Sequence, residues 1–170
     1  DNVRTYLKGG GSDNNDPMLG TEDELLPTVY AGGYTNAQGE SSPNGDNASL
    51  TVQNSNGETM LQAIYLGHGA GDDNKAPYQG KAVLHLDAGA VVRDGVDAAL
   101  NSQAEILISD KADSHARVKD IYGNVNTSLT VDRSSIEEAT VINVGELVLQ
   151  EGACLSLMTA VLHNVTLGSG

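Results

Sequence analysis

Short apolar–polar–apolar triplets recur along the chain and fall into two columns. One column reads Thr5-Tyr6-Leu7, Val29-Tyr30-Ala31, Ile64-Tyr65-Leu66, Val96-Asp97-Ala98, Ile121-Tyr122-Gly123, Ile142-Asn143-Val144 and Leu162-His163-Asn164, with centres 24, 35, 32, 25, 21 and 20 positions apart. The second reads Leu50-Thr51-Val52, Leu84-His85-Leu86, Ile106-Leu107-Ile108, Leu129-Thr130-Val131, Leu147-Val148-Leu149 and Val165-Thr166-Leu167, at spacings of 34, 22, 23, 18 and 18. Within Ala82-Val83-Leu84-His85-Leu86-Asp87, Leu84 and Leu86 share one face of a strand and His85 takes the other. The outward centres of the second column alternate between polar and apolar residues, as expected of strands covered on one side only. A third, weaker column reads Ala90-Val91-Val92, Ala116-Arg117-Val118, Ser135-Ile136 and Leu155-Ser156-Leu157.

Columns that lengthen and shorten together predict a coil with loops of variable length, and periods in this range mark solenoids. The expected fold is therefore all-β: a single-stranded parallel β-helix, or β-solenoid, of about seven coils with three faces per turn. Stacked at about 4.8 Å, those coils make a rod roughly 30 Å long. Residues 1–170 form one solenoid domain, with loop-rich coils over 1–80 and regular coils over 81–170. Long insertions are expected at 8–27, 35–48 and 67–80, and Glu22-Asp23-Glu24-Leu25-Leu26 suits a helical turn.

Composition agrees with a thin core. There is no Phe and no Trp, and the six Tyr are the only aromatics. Val, Ile, Leu and Ala fill a narrow coil that packs mostly on its neighbouring turns, whereas a wide globule needs bulkier rings. An immunoglobulin-like sandwich also shows short alternating strands but does not account for the matched columns. A leucine-rich repeat needs a stricter Leu pattern with Asn or Cys at fixed offsets.

The formal charge of −14, with only 9 Lys and Arg, repels nucleic acids and anionic membranes. Cations, basic proteins and neutral glycans remain as partners. No segment approaches the length of an apolar membrane span, so the chain is not expected to be membrane-embedded. Cys154 has no partner for an internal disulfide, and within Ala153-Cys154-Leu155 it reads as a buried small hydrophobe. The chain opens at Asp1 and closes at Gly168-Ser169-Gly170 directly after a strand, which reads as a piece of a longer surface protein. Uncapped coil ends then invite end-to-end continuation or self-association.

Three sets of residues carry candidate chemistry. The first is the tyrosine column: Tyr6, Tyr30, Tyr65 and Tyr122, completed by Asp97, Asn143 and His163. With Val29 and Ile64 pointing inward, the tyrosines point outward, where aligned rings can stack on sugars. The competing reading is a structural ladder or a seat for a covering loop. Tyr30, Tyr65 and Tyr122, with His68 and Tyr78 from the adjoining insertion, form the candidate ligand-binding set. The second set is Asp13, Asp16, Asp72 and Asp73, whose hard oxygens suit calcium, although their spacing matches no EF-hand and solvated turns would use the same residues. No other cofactor is expected. The third is catalysis, for which the strand centres offer no pair of carboxylates flanking a scissile bond. His68, Asp72, Asp73, Lys75 and Tyr78 make the best constellation, but in a Gly-rich loop that preorganises poorly. His85, His115 and His163 fall in different columns, which argues against a three-His metal site. No catalytic residue is assigned and no enzymatic activity is expected.

Val29-Tyr30-Ala31-Gly32-Gly33 and Ile64-Tyr65-Leu66-Gly67-His68-Gly69 resemble the V-Y-G-G-G turns of large bacterial cell-surface proteins. In those proteins such turns alternate with strands like Ala48-Ser49-Leu50-Thr51-Val52 and Lys81-Ala82-Val83-Leu84-His85-Leu86. Proteins of this kind are similar to pectate-lyase-like parallel β-helices. The resemblance implies a right-handed coil and a secreted, extracellular or cell-surface bacterial location. It further implies an adhesin-like role, presenting an acidic surface to a glycan or a host protein. The alternatives are a fragment of a polysaccharide lyase or hydrolase on the same coil, or a self-assembling shaft or surface-layer module.

Overall fold

The computed structural model describes residues 3–8, 26–31, 47–53, 58–66, 78–109, 116–133 and 135–168. They form twelve strands: β1 (Val3–Lys8), β2 (Thr28–Ala31), β3 (Ala48–Gln53), β4 (Thr59–Leu66), β5 (Tyr78–Leu86), β6 (Ala90–Asp97), β7 (Asn101–Ser109), β8 (Arg117–Val118), β9 (Ile121–Tyr122), β10 (Thr127–Asp132), β11 (Ser135–Leu149) and β12 (Cys154–Leu167). No helix occurs among the described residues. Asp13, Asp16, His68, Asp72, Asp73, Lys75 and His115 lie outside them, as do all but Leu26 of the helical turn expected over 22–26 and most of the three insertions. The side chains of Tyr6 and Tyr78 also lie outside the description.

All the strands belong to one sheet, and every pairing within it is parallel. The antiparallel sandwich is thereby excluded. The sheet runs β1-β3-β5-β7-β10 to β11 along one ladder and returns through β9-β6-β4-β2 along another. The 15-residue β11 contributes its two halves to the two ladders, and β12 continues both. The sheet thus closes almost completely around a shared core.

The second column emerges residue for residue. Leu50, Leu84, Ile106, Leu129, Leu147 and Val165 align in register, as do Val52, Leu86, Ile108, Val131, Leu149 and Leu167. In the return ladder Val29, Ile64, Val96, Ile121, Ile142 and Ala160 align. Alternation puts these apolar side chains on one face, and from Ile64 to Ile142 they are fully buried. The third column pairs Leu61 with Val92 and Val92 with Val118, while Ile136 pairs with Leu155.

Five expectations change. Tyr6 stands opposite Thr51 in the second column and so leaves the tyrosine column. The last rung of the first column is Ala160-Val161-Leu162, opposite Ile142-Asn143-Val144, so His163 lies beyond it. Thr59-Met60-Leu61 opens the third column opposite Ala90-Val91-Val92. Tyr78 belongs to β5, opposite Asn101, which shortens the third insertion. Cys154 is exposed because it pairs with Ser135 on the outward face, one residue before inward Leu155 opposite Ile136.

Backbone chemistry at the corners explains the abundance of Gly and Asn. Between the second and third columns the turn after β5 closes with Ala90 N–H donating to Asp87 O, and Gly89 takes a φ of 77°. At Gly95, with φ 125°, a Cβ would overlap the Asp120 carbonyl oxygen, which accepts the Val96 N–H at 2.8 Å. Only Gly combines that φ with so close an approach. Between the first and second columns, Asn101 Nδ2 donates to Leu66 O, and Asn124 Nδ2 donates to Ala99 O and Asn101 O. Successive turns are stitched together by side-chain amides that satisfy buried carbonyls.

Candidate functional site

The outward centres of the return ladder run Tyr30, Tyr65, Asp97, Tyr122, Asn143 and Val161, one per rung. Three of the candidate tyrosines therefore share one row, as their triplets predict. Tyr30 and Tyr122 are exposed and Tyr65 is half-buried.

Tyr30 and Tyr65 do not form a flat platform. Their ring centroids are 5.2 Å apart with 12° between the planes. That separation is close to the rung spacing of about 4.8 Å, so the rings stack along the ladder and spend one face each on one another. A sugar ring cannot lie across both faces at once. Stacking of this kind is what a structural ladder, the competing reading of these residues, requires. Chemistry offered to a partner comes from ring edges and hydroxyls, and from the next rungs.

Those rungs are acidic. Asp97 separates Tyr65 from Tyr122; Asp94 lies earlier in β6, and Asp120 lies between β8 and β9. Burial raises the Tyr65 phenol above its ordinary pKa, assisted by Asp97, Tyr30 and Asp94. The Tyr122 phenol is raised mainly by the charge of Asp120, then by burial, by its hydrogen bond to that carboxylate and by Asp97. The Tyr122 hydroxyl donates to Asp120 Oδ2 at 3.4 Å. Both phenols are thus held in the protonated, hydrogen-bond-donating form.

The acids are themselves held in place. Asp120 is buried, and its Oδ1 accepts the N–H groups of Thr140 at 2.7 Å and Val141 at 3.0 Å. Asp97 Oδ1 accepts the Ala99 N–H at 2.9 Å, and Asp94 Oδ2 accepts Gln62 Nε2 at 2.5 Å. Asp94, Asp120 and Gln62 lie between the triplets, Gln62 and Asp94 at the register shift where β4 pairs with β6, and the triplet pattern does not point to them. Asp94 and Asp120 share one signal, an Asp one or two residues before the first apolar position of a rung.

On the other ladder His85 Nε2 lies 2.6 Å from Ser109 Oγ, and Lys81 pairs with Glu105 at 2.5 Å. An open hollow of about 270 Å³ there is lined by Lys81, Gln103, Ala104, Glu105, Asn126 and Ser128. It includes none of the tyrosines. Among the described residues no group of three or more His, Cys, Asp or Glu could hold a metal ion. The four calcium candidates lie outside the description. No helix among the described residues is long and apolar enough to cross a membrane. Comparison of the chain with protein-family models, with curated proteins and with solved structures gives no match.

Proposed function

We propose that the chain is a structural, adhesive segment of a bacterial extracellular or cell-surface protein, built as a single-stranded, right-handed parallel β-helix. The three registered columns, the stitched corners and the thin aliphatic core support a rod whose outer faces are free to vary. The observation that carries the adhesive part is the row Tyr65, Asp97, Tyr122 and Asn143. It sets phenol donors, a carboxylate acceptor and an amide in line on consecutive rungs. Such a row recognises hydroxyl-rich or cationic surfaces through edge hydrogen bonds: a neutral glycan strand, or a basic segment of a host protein. The chain's net charge of −14 favours the basic partner further.

An array of neutral glycans and basic peptides tests this reading. The intact chain is expected to bind a subset. Tyr122→Ala and Asp97→Asn are expected to weaken that binding at least several-fold while leaving the unfolding midpoint nearly unchanged. An intact chain that binds nothing on the array, or binding that survives both substitutions, overturns it.

A further inference from the structure

Tyr65 has two unlike neighbours in its row. On one side its ring stacks on Tyr30. On the other side the next rung carries Asp97, and the rung after that carries Tyr122. An aspartate reaches less far from the sheet than a tyrosine. The second face of the Tyr65 ring therefore looks across an interval, floored by Asp97, toward the exposed Tyr122. Two rungs of about 4.8 Å set these tyrosines roughly 10 Å apart along the row. A planar group in contact with a ring on either side needs about 7–8 Å between the rings. One such group fits.

The floor of the interval is a charge without a counter-charge. Asp97 Oδ1 accepts the Ala99 N–H at 2.9 Å. Among the described residues Oδ2 accepts no hydrogen bond, and no Lys or Arg pairs with this carboxylate. Its charge reaches both walls, since it helps to raise the phenols of Tyr65 and Tyr122 alike. The far wall is tethered: the Tyr122 hydroxyl donates to Asp120 Oδ2, and Asp120 is itself held by the N–H groups of Thr140 and Val141.

We propose that Tyr65, Asp97 and Tyr122 form a slot for one arginine side chain of a basic partner segment, with the guanidinium between the rings and its edge on the Asp97 carboxylate. This names the chemistry of the basic partner, and it rests on the adhesive reading of the row. The guanidinium is planar and weakly hydrated, so it can lie against both rings, whereas the lysine ammonium is a compact, strongly hydrated point charge without a face. A cation over a tyrosine face is attracted by the ring quadrupole. Two parallel N–H groups on one edge of the guanidinium match a carboxylate. A sugar ring would stack on the same faces but would leave the Asp97 charge uncompensated. Asn143, on the rung after Tyr122, brings an amide to the main chain of the same segment.

The test titrates two peptides of equal length and charge, one alternating arginine with glycine and one alternating lysine with glycine, into the intact chain. The arginine peptide is expected to bind at least several-fold more tightly. It is also expected to shift the ring-proton resonances of Tyr65 and Tyr122 more than those of Tyr30. Tyr122→Leu removes one wall and is expected to bring the arginine peptide down to the affinity of the lysine peptide, while Asp97→Asn weakens both. The comparison of peptides on the unmodified chain needs no variant to fold. Equal affinity for the two peptides, or an arginine preference that persists in Tyr122→Leu, overturns the proposal. A chain that binds neutral glycans through the row and neither peptide removes the slot and leaves the adhesive reading standing. A chain that binds neither peptides nor glycans overturns both.

Discussion

Strands β11 and β12 lie side by side, occupy the same columns and carry similar residues, yet they differ in burial. Leu147 on β11 is 2% exposed, and its register partner Val165 on β12 is 53% exposed. Ile142 is fully buried, and its partner Ala160 is exposed. Nothing in the local sequence accounts for this: both strands alternate, and both direct aliphatic side chains toward the core. The difference is the next rung. Among the described residues, a residue on β11 is covered by strands on either side and a residue on β12 by one. Stability in this fold is therefore a nearest-neighbour quantity, set by interfaces between rungs more than by any central layer.

The sharpest way to break that contrast is to delete the same kind of atoms in both places. Leu84→Ala removes a fully buried side chain between the β3 and β7 rungs. A cost of about 2–5 kcal/mol is expected, because a tightly sandwiched site collapses poorly. Urea unfolding measures it. A cost under about 1 kcal/mol would mean that the rungs do not pack as described.

Asp120 gives the next largest effect and tests whether corners matter as much as faces. Asp120→Ala strands the N–H groups of Thr140 and Val141, and because both hydrogen bonds are only part-buried a cost of about 1 kcal/mol is expected. Asp120→Asn retains a side-chain oxygen and is expected to cost less. It also removes the charge that does most to raise Tyr122, so the phenolate absorbance of Tyr122 is expected to appear at lower pH than in the unmodified chain. An unchanged titration would remove Asp120 as the cause.

The same two phenols set a pH dependence. Tyr65 and Tyr122 hold their protons to higher pH in the folded chain than in the unfolded one. The unfolded chain deprotonates first, at about pH 10. From there upward it binds fewer protons than the native state, so stability falls as pH rises. Below that range these two groups contribute no slope. Stability followed between neutral and strongly alkaline pH is expected to decline less in Asp120→Asn plus Asp97→Asn than in the parent, because their folded phenols lie closer to the unfolded value, after correction for the cost at neutral pH.

Much of this molecule was legible because alternation has a period of two and the core is aliphatic. Leu-x-Leu and Ile-x-Ile triplets can only be placed one way, and the whole second column follows. Where the triplet was ambiguous, spacing decided wrongly. Thr5-Tyr6-Leu7 looks like a tyrosine rung, but residues 9–27 separate it from β2, and distance along the chain carries no register. Leu162-His163-Asn164 keeps the spacing of the first column, whereas the register follows the inward pair Ala160 and Leu162. Thr59-Met60-Leu61 lacks the apolar–polar–apolar signal because a polar residue opens it. Thr59 is nevertheless fully buried, its N–H donating to Gly89 O at 2.7 Å. In the site, the tyrosine row was visible while Asp120 was not. A buried Asp that holds two backbone N–H groups from the next rung is a tertiary fact with no local pattern.

The smallest predicted effect is also the one that decides what the β11–β12 contrast means. Val165→Ala removes apolar atoms from a half-exposed site, and the expected change is within about 0.5 kcal/mol. Leu147→Ala removes apolar atoms from the register partner on β11, which is 2% exposed and has strands on both sides, and is expected to cost several times more. Urea unfolding of the two variants side by side measures what the second neighbouring rung contributes to a residue of the same column. Equal costs would remove the rung-by-rung account of stability in this fold.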